Sequence, residues 1–144
     1  GSETINEKMI FGGREMKGTA VSMGNPHIVF YLDDIEKAPL TTMGPLIEKD
    51  ERFPEGVNVE FVEVENENEL HFRVWERGSG ITQACGTGAC AAAVSSVLNG
   101  YSKRDTDITV HLAGGDLIIN WKNDGRVMMT GPAETVCEGE FFIS

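Results

Sequence analysis

The sequence predicts an α+β domain in which a mixed, strongly curved β-sheet wraps around a central buried helix. Two observations carry that expectation. Most of the apolar patterning has period two or falls in short apolar runs, which is the pattern of strands. One helical segment, Gly88–Asn99, is built almost entirely from small uncharged residues. A helix that is apolar nearly all round is a buried helix. The 144 residues fit a single domain, since domains run to roughly 100–200 residues. With 40% hydrophobic residues the chain can bury a core without disulfide or metal staples.

In chain order, Ala20–Met23 and His27–Leu32 are apolar runs on either side of Gly24-Asn25-Pro26. Pro39–Lys49 reads as a helix with proline in its first turn, and Gly44-Pro45 is expected to break or kink it. Val57–Val64 places Val57, Val59 and Phe61 on one face and Val62 and Val64 on the other. The polar stretch Glu65–Glu69 reads as a hairpin turn within a solvated acidic loop. Leu70–Trp75 alternates Leu70, Phe72 and Val74 against His71, Arg73 and Trp75. The Gly88–Asn99 helix stops at Gly100, a favourable residue just past a helix end. Ile108–Leu112, Leu117–Trp121 and Val127–Thr130 are strands separated by Ala113-Gly114-Gly115 and Asn123-Asp124-Gly125. Asp-Gly between two such runs is a strong hairpin signal.

Twelve basic residues against 23 acidic give a net charge of −11. That argues against a nucleic-acid surface, which needs concentrated Lys and Arg, and against a basic membrane-surface anchor. No apolar run approaches the ~20 residues of a transmembrane helix, and no signal-peptide pattern opens the chain. Three cysteines, at 85, 90 and 137, form an odd set that reads as a reduced, cytoplasmic chain. The histidines at 27, 71 and 111 stand apart from the cysteines and from each other, so no metal site is expected. Gly1-Ser2 reads as a cloning scar.

The chemistry concentrates in Trp75–Ala92, WERGSGITQACGTGACAA. A strand ends at Trp75, a glycine-bearing loop follows, and Cys85-Gly86-Thr87-Gly88 opens the buried helix. The first amides of a helix lack intrahelical partners and carry partial positive charge. The Gly86-Thr87-Gly88 turn is therefore a candidate cradle for a carboxylate or phosphate. At the same end a thiol pKa is lowered, which makes Cys85 a candidate acid/base or nucleophile. The plainer reading has Cys85 as a small buried residue and the glycines as turns. Cys90, inside the small-residue helix, is expected to pack like alanine, and Cys137 has no polar company.

The same stretch resembles the second active-site signature of the diaminopimelate epimerase family, with Glu76-Arg77-Gly78-Ser79-Gly80 preceding Cys85-Gly86-Thr87-Gly88-Ala89-Cys90-Ala91. Met23-Gly24-Asn25-Pro26-His27 is similar to that family's Gly-Asn-Pro-His turn. Phe53-Pro54 followed by Gly56-Val57-Asn58-Val59 is similar to its Asn-bearing strand entry. Gly131-Pro132-Ala133 and Gly139-Glu140 resemble its ending. Ile81 stands where many relatives carry Glu, and Asp50 where many carry His. Neither position is assigned to catalysis.

The resemblance implies an epimerase-like half barrel. It also implies a cofactor-independent inversion of LL- to meso-2,6-diaminopimelate, on the way to lysine and peptidoglycan precursors, without pyridoxal phosphate or metal. Two cysteines act from opposite faces of the α-carbon, and Cys85 corresponds to one of them. His27 and Glu76 correspond to residues that tune the thiols. Asn25, Asn58, Glu76, Arg77, Gly86 and Thr87 correspond to substrate-binding positions. Arg suits a carboxylate through its bidentate fork, and Asn can both donate and accept. Taken alone, His27 would be a turn histidine, Glu76 a surface carboxylate, and the others ordinary turn or surface residues.

The family's first half carries its own Cys-Gly-Asn-Gly segment, which is not found in these 144 residues. Residues 3–144 are therefore expected to be the C-terminal domain of a two-domain enzyme, inactive by itself. The partners implied are diaminopimelate, the enzyme's N-terminal half, and a second copy in a homodimer. The alternatives are another isomerase of the same superfamily, proline-racemase-like or phenazine-pathway-like, or a non-catalytic domain that binds a small anion.

Overall fold

The computed structural model describes residues 4–76, 80–81, 87–112, 115–131 and 139–142. Ten strands among them form one sheet. They are β1 (Thr4–Phe11), β2 (Arg14–Ser22), β3 (Pro26–Tyr31), β4 (Asn58–Asn66), β5 (Glu69–Glu76), β6 (Gly80–Ile81), β7 (Ile108–Leu112), β8 (Gly115–Trp121), β9 (Arg126–Thr130) and β10 (Gly139–Phe142). The sheet order is β1-β2-β3-β4-β5-β7-β8-β9-β10, with β6 paired to β5 beside that path. The sheet is mixed because β3 runs parallel to β4, and β5 to β7, while the other pairs are antiparallel. A parallel step needs a crossover connection. The first crossover carries α1 (Leu40–Glu48) and the second carries α2 (Thr87–Leu98).

The two helices lie on opposite faces of the sheet, and the period-two strands serve both. Val59 and Phe61 of β4, with Ile28 and Phe30 of β3, join Met43 and Ile47 of α1 in one core. Val62 of β4 and Val29 of β3 turn the other way, into the core around α2. In β5 the same division sends Leu70, Phe72 and Val74 toward α2 and Trp75 toward α1. These faces are the ones the alternation predicts.

Helix α2 is the centre of the fold. Residues Ala89 to Ser96 are fully buried, and the helix touches β2, β3, β4, β5, β7 and β8. A helix in contact with six successive strands of one sheet sits inside the sheet's curve. Its small residues let the strands approach it closely, as a packed interior requires. Its few polar side chains are all bonded. Tyr31 Oη lies 2.7 Å from Ser95 Oγ and 3.1 Å from Ser96 Oγ. Ser96 Oγ donates to the Ala92 carbonyl, and Asn99 Nδ2 donates to Thr19 Oγ1. Burying these groups is tolerable because each finds a partner.

One expectation needs correction, and three strands were missed. Gly44-Pro45 does not break α1, which runs through both residues. Burial of Met43, Gly44 and Ile47 on the sheet holds this short helix together despite the amide missing at Pro45. Strands β1, β6 and β10 were not foreseen. In β1, Met9 and Phe11 are buried but Ile10 between them is exposed, so composition hides the alternation. Among the described residues no helix is long and apolar enough to cross a membrane.

Candidate active site

The site is built where two parallel strands begin and α2 starts. Gly24 has φ +93, a conformation that side chains other than glycine rarely adopt, and it turns the chain from β2 into β3. Parallel pairing then sets His27 of β3 beside Asn58 of β4. Asn58 Nδ2 donates to the Pro26 carbonyl at 3.2 Å and ties the two strand starts together. Val59 of β4 pairs with Trp75 of β5, so β5 ends at Glu76 next to the start of β4.

His27 is no turn histidine. It lies in β3 and is 3% exposed. Its two ring nitrogens are both engaged. Nδ1 lies 2.9 Å from Glu60 Oε1, and Nε2 lies 3.0 Å from Asn25 Oδ1. Asn25 Nδ2 reaches Thr87 Oγ1 at 3.4 Å. Thr87 is the first residue of α2, so the chain of contacts runs from a buried carboxylate through an imidazole and an amide to the positive end of a helix.

Four of the sequence-selected positions, Asn25, His27, Asn58 and Thr87, therefore converge from separate parts of the chain. The backbone of Glu76 ends β5 at the same end of the sheet. Cys85, Arg77 and Gly86 lie outside the described residues, as do Cys137 and Pro132-Ala133. Cys85 stands two residues ahead of Thr87 in the chain. Cys90 is buried within α2, its Sγ 4.0 Å from Met129 Sδ. Burial pushes its thiol up to about 12, so it packs as an inert small residue.

Glu60 was missed by the sequence reading. Its signal was present, however. Residues 58, 60, 62 and 64 share one face of a strand, and that face carries Val62 and Val64 toward the core. An acidic residue in register with an apolar face is an anomaly, and here it is fully buried against His27.

Comparisons with known proteins bear on the family and the fold. The family profile described as diaminopimelate epimerase matches residues 19–136. A curated diaminopimelate epimerase of Bacillus subtilis is 80% identical over 140 residues, covering 97% of this chain and 49% of the relative. The corresponding protein of Geobacillus thermodenitrificans is 69% identical, with 97% and 48% covered. The chain thus spans about half the length of the curated relatives it matches. Among solved structures, a Bacillus anthracis phenazine biosynthesis protein of the PhzF family superposes with TM-score 0.53 at 18% identity, covering 79% of this chain and 38% of that one. An Enterococcus faecalis PhzF-family protein gives 0.52 at 17%, covering 73% and 36%. At such identity the likeness speaks to the fold alone.

Proposed function

The chain belongs to the diaminopimelate epimerase family, and we propose that it is the half of such an enzyme that supplies one of two opposed cysteines. The observation that carries this reading is the convergence of Asn25, His27, Asn58 and Thr87 at the start of α2, directly downstream of Cys85. Residues chosen for their order in the sequence meet in space, which chance turn residues have no reason to do.

The substrate is a 2,6-diamino-dicarboxylic acid. The Cys85 thiolate acts on one face of an α-carbon, and a cysteine of the other half acts on the opposite face. One thiolate takes the α-proton as the electron pair of the C–H bond moves toward the carboxylate. The other thiol then returns a proton from the far side, which inverts the centre. The α-proton is weakly acidic, so the developing negative charge needs preorganised donors. The amide of Thr87, at the positive end of α2, supplies one, and that of Gly86, the residue before it in the chain, is assigned the same part. Asn25, Asn58 and Arg77 recognise the amino and carboxylate groups, and His27 and Glu76 tune the thiols.

The test uses the full-length protein carrying this sequence, with LL-diaminopimelate in D₂O. The wild type should produce the meso isomer and incorporate deuterium at the α-carbon. Cys85→Ala should abolish inversion with an unchanged far-UV spectrum. Undiminished inversion in that variant would remove Cys85 from the chemistry. Binding without any α-proton exchange in the wild type would favour the anion-binding alternative.

A further inference from the structure

A carboxylate on the core-facing side of β4 demands a reason. Glu60 is fully buried, and a buried charge is costly unless paired and hydrogen-bonded. One partner is His27 Nδ1 at 2.9 Å. An ionised carboxylate has only acceptor oxygens, so its bond to the ring needs the proton on nitrogen. Nδ1 then donates and Glu60 Oε1 accepts.

The opposite nitrogen, Nε2, faces Asn25, and there an amide can serve two states. A protonated Nε2 donates to Asn25 Oδ1, the oxygen 3.0 Å away. A bare Nε2 accepts from Asn25 Nδ2 after the amide turns over, and Oδ1 then accepts from the Thr87 hydroxyl. The Nδ1–H···Oε1 bond is the same in both states.

We propose that Glu60 is a positioning residue of this site. By accepting a hydrogen bond from Nδ1–H it fixes the His27 ring, so that Nε2 is the nitrogen presented to Asn25 and the start of α2. The inference rests on the epimerase reading for its effect on catalysis, whereas the tautomer it assigns is read by NMR independently of that reading.

Two measurements on the full-length protein test it. Long-range ¹H–¹⁵N NMR of labelled histidine, with the His27 signals assigned by their loss in His27→Gln, reports both ring nitrogens. Nδ1 should be protonated and hydrogen-bonded across the pH range of the folded protein. A pyridine-like Nδ1 at any pH in that range, as a protonated Glu60 donating to a bare nitrogen would produce, overturns the proposal.

The second measurement is Glu60→Gln, whose amide can donate to Nδ1 and so select the other tautomer. Carboxylates that orient metal-bound histidines are worth about 10–100-fold, and kcat should fall by a similar factor with KM little changed. The pH profile of kcat/KM should move with it, and Glu60→Asp should recover part of the loss. A folded Glu60→Gln with unaltered kcat and pH profile overturns the proposal. Should that variant fail to fold, the NMR result on the wild type decides. Full activity in Cys85→Ala would sink the epimerase reading while leaving the tautomer result intact, so the two failures are distinguishable.

Discussion

Gly44 lies flat against the indole of Trp75. A Cβ built on Gly44 would stand 2.6 Å from Trp75 Cγ and 2.7 Å from Cδ2. The ring has little room to give way, because Trp75 Nε1 donates to Glu48 Oε1 at 2.8 Å. Gly44→Ala would gain up to about 1 kcal/mol in helix propensity. Overpacking a tight contact costs about 1–3 kcal/mol, and here it should win. Urea denaturation should show a lower midpoint with an unchanged slope, and Trp75→Leu should remove the penalty of the alanine.

Helix α2 should be equally intolerant of bulk. Ala92 and Ala93 are fully buried, and the sheet closes around them on several sides. Ala92→Leu or Ala93→Leu should therefore cost about 1–3 kcal/mol through displaced neighbours, despite the good helix propensity of leucine. Thermal unfolding followed by circular dichroism checks it. A leucine accommodated at no cost would mean that the helix is less enclosed than its burial indicates.

The two cysteines of the signature should behave oppositely. Burial pushes the Cys90 thiol from 9.0 up to about 12, so iodoacetamide at neutral pH should leave it unlabelled in the folded protein. Cys85, expected at a helix start, should label first in a peptide map. The Cys90 shift also affects stability. The folded state favours the neutral thiol, so its contribution is complete below the unfolded value near 9 and is lost as pH rises toward 12. Each pH unit in that window removes about 1 kcal/mol. Tyr31, also raised by burial to about 12, adds to the loss above its ordinary 10.0. Unfolding free energies at successive alkaline pH values should fall less steeply in Cys90→Ala than in the wild type.

The sequence is most legible where burial is uniform and local chemistry agrees with it. The α2 helix declares itself through composition, β4 through apolar residues on both of its covered faces, and β5 through alternation, because its His71 and Arg73 face is only half-buried. The hairpin at Asp124-Gly125 follows from turn chemistry, with Lys122 N donating to the Arg126 carbonyl at 2.8 Å. Edge strand β1 is less legible, since exposed Ile10 breaks the period. The continuity of α1 cannot be read locally either. Gly44-Pro45 is a helix breaker by propensity, and it is the contact with Trp75 that makes glycine necessary there. For the site, motif order points to Asn25, His27, Asn58 and Thr87. Glu60 escapes because its partner His27 lies 33 residues away, and only the parallel register of β3 and β4 brings them together.

Purified alone, the 144-residue chain should not convert LL- to meso-diaminopimelate. Inversion by two bases needs one group on each face of the α-carbon. Of the three cysteines, Cys90 is enclosed in α2 with its thiol raised to about 12, so at neutral pH it cannot act as a base. Cys137 lies in a stretch without the glycine-rich helix start that Cys85 precedes. That leaves a single competent thiol. Carboxylate-holding donors from the other half would be missing too, and water would reach the reacting carbon, weakening each electrostatic contact. Each such transition-state contact is worth about 10²–10³ in rate, so several lost together place turnover beyond detection. Chiral chromatography after prolonged incubation should find only the LL isomer, and adding the N-terminal half of a close relative should restore conversion if the two halves associate. Rapid formation of the meso isomer by the chain alone, abolished by Cys85→Ala, would mean that these residues contain a second base that the two-cysteine reading does not recognise.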